Sequence, residues 1–597
     1  MIGWGYYPGS GLLTNKADAA GQSVGYTYSA GGKLASRVWA RSDGTNALVT
    51  SYSYNDAGDL TAIDYSDSTP DVAFTYDRLG RQLTASSSVR AHTFTYNTAL
   101  QVATETIVDS SGTNTIARNY DGFGRTAGFG LDSDYAVAYG YDDFNRFSSV
   151  FSACPELVEC VANYGYLQNS SIISGYTMGD LTDTRSFETT RDLLTQVKNE
   201  FDSETISQYD YVNDSAGRRI AVKQSGAGFQ PAGSSFLHYG YNTRSEVVSA
   251  ERYFGTNTND FNNPVGLQDW SYSYDPPSPR LWRTSIIGNR TASARANAIS
   301  EYAANLLNQY TSRTVPAYAD IIGTANTGIT VTVNSQSVTR QNDYWSKRLS
   351  VDNDTNAVYE NINVVGVYSP GGTNDDIVTT VTGKMFVAES PEAFSYDSDG
   401  NLLSDGRWNY VWDCENRLVE MSTSTNLCPS VPLLLCHFSY DYMSRRVGKS
   451  VYHWVSNDWE AVSASAFVYD SWNLISEQTH QQTNTQTNFF TWGLDLSGSL
   501  QGAGGVGGLL SAIIGTNSVC YTFDGNGNVS ELVNCDTAAI DAHYEFSPFG
   551  EQLVAVGPLA RENPFRFSTK YTDNETRVSV RGSTPYARPP GCGKPAA

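Results

Sequence analysis

Apolar and polar positions along this chain alternate with a period of two, in short runs that end on the same kind of turn. The stretch Phe74 to Ser86, FTYDRLGRQLTAS, shows the pattern most clearly. Phe74 and Tyr76 fall on one face of an extended segment, Asp77 and Gly80 follow, and Arg81 and Leu83 open a second extended segment. The aspartate supplies a side-chain acceptor and the glycine three residues later a permissive φ, as a four- or five-residue hairpin loop requires. The unit is read as a β-hairpin, with Arg81 in reach of Asp77 or of a neighbouring unit's carbonyls.

Variants of the unit recur throughout: YSYNDAGDLTAI at 52 to 63, NYDGFGRTAGF at 119 to 129, YGYDDFNRFSSV at 139 to 150, YDYVNDSAGRRIAV at 209 to 222, FSYDSDGNLLSDG at 394 to 406, YVWDCENRLVEM at 410 to 421, FSYDYMSRRVGKS at 438 to 450, FVYDSWNLISE at 467 to 477 and YTFDGNGNVSEL at 521 to 532. Many neighbouring copies are spaced about 20 to 26 residues apart, the mark of a repeat architecture. One hairpin cannot bury its own aromatic face, but stacked hairpins can. The expectation is an all-β chain built on one long, laterally continuous sheet that curls to hide its edges and aromatic face. Tyr76, Asp77, Gly80 and Arg81, with Tyr396, Asp397, Gly400, Tyr469, Asp470, Asp524 and Gly527, are the residues expected to set the hairpin geometry.

Interruptions divide the chain into an array at 1–314, a region without repeats at 315–392, a second repeat region at 393–571 and a tail at 572–597. Within the array, ACPELVEC at 153 to 160 breaks the pattern and is read as a surface insertion, and PPSPRLWRTSI after Asp275 forbids continuous pairing through its prolines before IGNR at 287 to 290. EYAANLLNQYTSR at 301 to 313 has helical spacing but is read as a worn repeat with its turn at Asn308 and Gln309. From Val315 to Glu392, short alternating strands with polar turns predict a small inserted β-sandwich of immunoglobulin-like type.

Composition then narrows the function. Of 597 residues 12% are aromatic, with 39 tyrosines, and only 17% are charged, which resembles secreted β-proteins more than a cytosolic enzyme. A net charge of -23 argues against nucleic acid or an anionic membrane as partner. No basic stretch followed by an apolar run opens the chain, so no secretory signal is visible, and no run is long and apolar enough to span a bilayer. The eight cysteines form local couples at Cys154/Cys160, Cys428/Cys436 and Cys520/Cys535, beside Cys414 and Cys592, with no zinc spacing.

Features that look like chemistry have plainer readings. Gly502 to Gly507 satisfies G-x-G-x-x-G, yet no strand-to-helix context surrounds it, so it is read as a close-packed glycine loop. Asp524, Asn526 and Asn528, like Asp352, Asp354 and Asn356, imitate the first ligands of a calcium loop but lack its glycine and closing glutamate. The histidines, His92, His238, His437, His453, His480 and His543, are scattered. No catalytic residue, cofactor or metal is expected.

The repeat units resemble those of the YD-repeat proteins: the Rhs proteins, the B and C components of insecticidal Tc toxins, and the teneurins. From Phe394 to Tyr571, where DSDGNLLSDG, WDCENRLVEM, FVYDSWNLISE, FFTWGLDLSGSLQGAGGVGGLL, YTFDGNGNVSEL, YEFSPFGE and NPFRFSTKYTDNET follow in the family's order, the chain resembles the Rhs-associated core domain. The resemblance implies a sheet wound into a spiral, cocoon-like shell that encloses a toxic polypeptide, an extracellular or cell-surface location, and an association with cell-surface carbohydrate. Arg561 to Phe567 resemble the segment leading to the end of that core. In the family a tyrosine-rich strand and an aspartate-dependent self-cleavage site follow; here Thr576 is followed by the basic, proline- and glycine-rich RVSVRGSTPYARPPGCGKPAA. The expectation is a frameshift or recombination joint, leaving an incomplete shell without cleavage site or toxin, the alternative being a divergent native tail.

Overall fold

A computed structural model describes residues 3–154, 157–274, 283–286, 299–371, 375–424, 427, 431–576, 579–581 and 584–586. PPSPRLW of the proline-rich break, the IGNR turn and most of the tail lie outside the described residues. The architecture is all-β. A first ribbon of 23 strands runs from Gly3–Tyr6 to Pro264–Ser271, each strand pairing antiparallel with the strands before and after it in the chain. A second ribbon of 14 strands meanders in the same way from Ser395–Tyr396 to Gln552–Val556. Neither closes into a barrel. This is the expected hairpin sheet, wound so that the second ribbon lies along the first.

The hairpin turn is built as its sequence dictates. The backbone N–H of Asp77 donates to Arg81 O at 2.9 Å and that of Gly80 to Asp77 O at 3.1 Å. The Asp77 carboxylate accepts the N–H groups of Leu79 and Arg81 at 2.8 and 3.0 Å and the Arg81 Nε at 2.7 Å. Gly80 occupies the left-handed region with φ 77°, and the same turn position is held by Asn145 at 67°, Asn308 at 62° and Asn416 at 58° in other units. Short polar side chains tolerate that region best after glycine.

Between the ribbons, two small sheets of three and four strands enclose a common core of Ala319, Val331, Val333, Trp345, Leu349 and Ile362, forming the inserted sandwich. It rests on the end of the first ribbon, where Tyr344 Oη donates to Gly266 O at 2.6 Å. EYAANLLNQYTSR is a hairpin: Ile299–Ala304 pairs with Tyr310–Arg313 across a turn with Asn308 at positive φ. The stretch at 153–160 differs from expectation. On either side of residues 155 and 156, which lie outside the described residues, it belongs to the strands of a hairpin rather than to an insertion: Phe147–Cys154 pairs with Leu157–Tyr166, with Ser152 opposite Cys160 and Cys154 opposite Leu157.

A substitution at Gly80 separates backbone strain from crowding. A Cβ there would meet nothing nearer than 3.8 Å, so Gly80→Val should lose roughly 1–3 kcal/mol through its positive φ alone, while Gly80→Asn keeps most of the stability. Thermal unfolding with limited proteolysis checks this; equal melting of both variants and wild type would refute it.

Candidate functional site

The repeated tyrosine before each turn has a specific task. In every well-formed unit the register slips by one residue just before the turn: Thr75 faces Thr84 but Tyr76 faces Gln82, leaving Leu83 bulged. The carbonyl of the residue opposite the tyrosine then takes a hydrogen bond from the next unit's tyrosine. Tyr76 Oη donates to Leu60 O at 2.8 Å, Tyr96 Oη to Gln82 O at 2.6 Å, Tyr120 Oη to Val102 O at 2.9 Å and Tyr141 Oη to Thr126 O at 2.9 Å. In the second ribbon Tyr440 Oη donates to Leu418 O at 2.7 Å and Tyr469 Oη to Arg446 O at 2.9 Å. Trp412 and Trp492 use their indole N–H in the same place, to Leu402 O and Leu474 O at 2.7 Å each, and Asn213 uses its amide to Leu194 O at 3.1 Å. The turn arginine completes the link, lying over the following tyrosine ring: Arg81 over Tyr96 at 4.2 Å and Arg125 over Tyr141 at 4.0 Å.

The other turn residues singled out from sequence fall into two groups. Asp397 and Asp524 cap their turns like Asp77, with Asn401 and Asn528 replacing the arginine at 2.9 and 2.8 Å, and Gly400 and Gly527 hold φ 89° and 70°. The calcium-like spacing at Asp524 is therefore turn chemistry. Tyr396 faces Leu402 at the bulge. Asp470 lies in a tighter turn, paired directly with Asn473, and its carboxylate instead accepts Arg118 of the first ribbon at 2.8 Å.

That ion pair belongs to a seam that sequence reading missed. The second ribbon presses on the hairpins of the first through its turns and the strand residues beside them, in broadly the same order along both. Arg37 pairs with Glu415 at 2.6 Å and Arg41 with Asp399 at 3.1 Å. Cys414 packs on Trp39 and Leu48, and Tyr442 on Phe74 and His92. Arg90 donates to Phe467 O at 2.7 Å, Tyr135 Oη shares a hydrogen bond with Thr491 Oγ1 at 2.6 Å, and Leu494 N donates to Tyr164 Oη at 2.9 Å. Further on, Gly525 N donates to Tyr211 Oη at 2.6 Å; a Cβ on Gly525 would lie 2.6 Å from Leu194 Cδ2, so glycine permits the approach. Phe549 meets Tyr272 edge-on at 4.5 Å.

Two of the buried charge clusters lie toward the end of the second ribbon and beyond it. His543 donates to Glu531 Oε1 at 2.9 Å and faces Glu545 Oε1 at 3.4 Å, and Glu545 pairs with Arg252 of the first ribbon. Burial disfavours the imidazolium, but hydrogen bonds to Glu531 and Glu545 outweigh it and push His543 up to about 9. Burial likewise opposes ionisation of Glu545, and Arg252 with His543 brings it down to about 2. The second cluster joins Asp573 to Arg446 at 2.6 Å and to Lys449 at 3.1 Å. It ties the segment after the last ribbon strand to the sheet, together with Tyr571 Oη donating to Glu477 at 2.6 Å and Phe565 packed on Phe490.

The remaining candidates resolve into packing. The glycine loop spends its N–H groups internally: Gly505 and Ala503 donate to Asp495 Oδ2 at 3.1 and 2.6 Å, and Gly507 to Thr569 Oγ1 at 2.8 Å. Burial pushes the thiols of Cys414 and Cys436 up to about 11 and about 12, which leaves them poor nucleophiles at neutral pH. The couples Cys154/Cys160 and Cys428/Cys436 involve side chains outside the described residues. Among the described residues no group of three or more His, Cys, Asp or Glu side chains is arranged to hold a metal, and no helix is long and apolar enough to cross a membrane.

Two measurements test this frame. Tyr440→Phe removes the donor to a buried carbonyl and should cost about 1–3 kcal/mol; a melting temperature equal to wild type would discard the tyrosine's role. His543, raised from 6.5 to about 9, stabilises the fold fully below pH 6.5, and that contribution fades as pH rises through 9. The melting-temperature gap between wild type and His543→Gln should thus be widest near pH 6, on the order of 3 kcal/mol, and narrow toward alkaline pH; a gap independent of pH contradicts it.

No family model matches the chain. Among curated proteins it is similar to the tRNA3(Ser)-specific nuclease WapA of Bacillus spizizenii, 24% identical over 186 residues, which is 31% of this chain and 7% of that protein. It is similar also to the tRNA nuclease WapA of Bacillus subtilis strain 168, 22% identical over the same length and shares. Among solved structures it resembles the crystal structure of TcdB2-TccC3-Cdc42, with TM-score 0.63 and 12% identity over 98% of this chain and 26% of that one. The Photorhabdus luminescens Tc holotoxin pore gives TM-score 0.62 and 12% identity over 96% of this chain and 26% of that one. The chain thus spans 7% of the curated relatives it matches and about a quarter of these structures, whose fold it shares.

Proposed function

We propose that this chain is a non-enzymatic wall segment of a protein shell in a secreted, Rhs-like toxin system, where it encloses a polypeptide. The observation that carries the reading is the seam: the second ribbon retraces the first and locks into it, from Arg37 on Glu415 to Tyr272 on Phe549. That is how a ribbon builds a wall. Fold similarity to Tc-toxin chains over nearly the whole length supports it, and the WapA nucleases offer a case in which a similar stretch belongs to a much longer nuclease. In this reading the array at 1–314 and the repeat region at 393–571 are successive turns of the wall, the sandwich at 315–392 is a spacer, and the repeat-turn residues are structural. The chain takes no cofactor or nucleic acid and works outside the cell that makes it. The competing reading is a carbohydrate-binding surface protein, for which exposed aromatics such as Trp4, Tyr6 and Trp454 would stack on sugars.

The polypeptide as made by its natural host, purified without denaturant, separates the two. A shell is expected to show internal density by cryo-electron microscopy, to protect an enclosed polypeptide from proteinase K, and to leave a glycan array blank. Selective, dose-dependent retention of one sugar class with an empty interior would replace the container by the adhesin.

A further inference from the structure

The inserted sandwich leaves one sheet edge open. Its four-stranded sheet runs in the lateral order Gln336–Ser337, Ile329–Val333, Val358–Tyr368 and Ile377–Val387. Among the described residues the last strand pairs only with Val358–Tyr368, without a bulge, over all of its 11 residues. From Ile377 to Lys384 both faces are exposed, with Ile377, Val378 and Val381 at 60%, 58% and 62%. Sheet edges are ordinarily blunted by proline, bulges or inward-pointing charge. Ile377 to Gly383, IVTTVTG, has none of these.

The register shows which backbone groups face outward. Asn334 N donates to Asn363 O at 2.8 Å, so the odd residues of Val358–Tyr368 turn their N–H and C=O toward Ile329–Val333 and the even ones toward Ile377–Val387. With Val364 opposite Val381 and Gly366 opposite Thr379, the odd residues of the edge strand are used in that ladder. Val378, Thr380, Thr382 and Lys384 direct theirs outward.

We infer that this edge pairs antiparallel with the same edge of a second copy of the chain, two-fold about Thr380. That register sets outward residues against outward residues: Thr380 on Thr380, Val378 on Thr382 and Asp376 on Lys384. Three features of the strand select a copy of itself as the occupant. Asp376 and Lys384 are equally far from Thr380 on either side, so the register forms an opposite-charge pair at both ends. Ile377 falls beside Gly383 of the copy, where a Cβ would meet nothing within 4 Å, and fills that space. Thr380 meets its own counterpart, and threonine pairs opposite one another favour a sheet. A slip of two residues, the smallest that keeps outward groups together, breaks both charge pairs. The inference goes beyond the wall reading and does not depend on it, since it uses the inserted sandwich alone.

Sedimentation velocity of the full chain across a dilution series tests this, and a reversible monomer–dimer equilibrium is expected. Asp376→Lys should weaken it at least about tenfold, because the charge pair occurs twice in the dimer and both copies turn repulsive. Its melting should match wild type, since Asp376 is exposed and exposed side chains contribute little to folding. Lys384→Asp, which also gives up the ring of Tyr359, should weaken the dimer in the same way, and Asp376→Lys/Lys384→Asp should restore it. Thr380→Cys treated with oxidised glutathione should yield a disulfide joining two identical peptides of this strand, because facing residues in such a ladder lie within disulfide reach. A monomer at every concentration, a dimer indifferent to the charge reversals or not restored by the double variant, or a cross-link to any other segment or protein would each overturn the inference.

Discussion

A carbonyl set free at a β-bulge, and the tyrosine hydroxyl that answers it, govern this structure. Each hairpin slips register beside its turn, and a bulge disrupts the ladder and leaves backbone groups there needing other partners. Here the donor comes from the next unit in the chain, so Tyr76 closes the bulge at Leu60 and Tyr96 the bulge at Gln82. The units are thereby joined in series by something more directional than an apolar face. A bulge also bends and twists its strand. Because the bulges fall along one rim, beside the turn of successive units, their bends act in the same sense and the ribbon curls rather than lying flat.

Curling brings the later hairpins back against the earlier ones and creates the seam. The seam then sets demands that a lone ribbon would not. Gly525 is needed for close approach to Tyr211 and Leu194, and Arg90, Arg118 and Arg252 reach across with guanidinium groups that satisfy carbonyls and carboxylates of the other ribbon. Apolar burial is distributed the same way: one cluster joins Ile107, Tyr135 and Tyr176 of the first ribbon to Phe490, Tyr521 and Phe565 beyond it.

What could be read from the sequence was whatever the chain decides locally. Alternation and the Asp-to-Gly spacing name the strand and the turn because both act within five residues, and EYAANLLNQYTSR was legible as a hairpin for that reason. The tyrosine was visible but its task was half hidden: only the replacements that keep a donor, Trp412, Trp492 and Asn213, betray a hydrogen bond rather than an aromatic face. The seam was not legible at all. Nothing near Phe549 distinguishes it from the exposed Phe123, since the difference lies with Tyr272, far away in the chain. Asp470 illustrates the same limit, reading as a turn residue and acting as an ion-pair partner.

A ribbon of similar units laid on another faces the problem of slippage by one hairpin, which would preserve most contacts of ring on ring. Period-two patterning fixes which face points inward but not which hairpin meets which. The charged contacts break that degeneracy. Arg37 with Glu415, Arg118 with Asp470 and Arg252 with Glu545 occur once each and are spread along the seam, so a shift by one unit would strand several of these groups away from their partners. Stranding one member of a buried pair such as Arg252 with Glu545 costs about 3–5 kcal/mol, and the partly exposed Arg37 with Glu415 and Arg118 with Asp470 add less. The same logic explains the polar cluster of His543, Glu531 and Glu545 near the end of the second ribbon, next to Phe229 of the first at 5.0 Å. Placed there, it penalises a wrong register at the point where accumulated slippage would be greatest, so uniqueness of the wall rests on its charges while its cohesion rests on its rings.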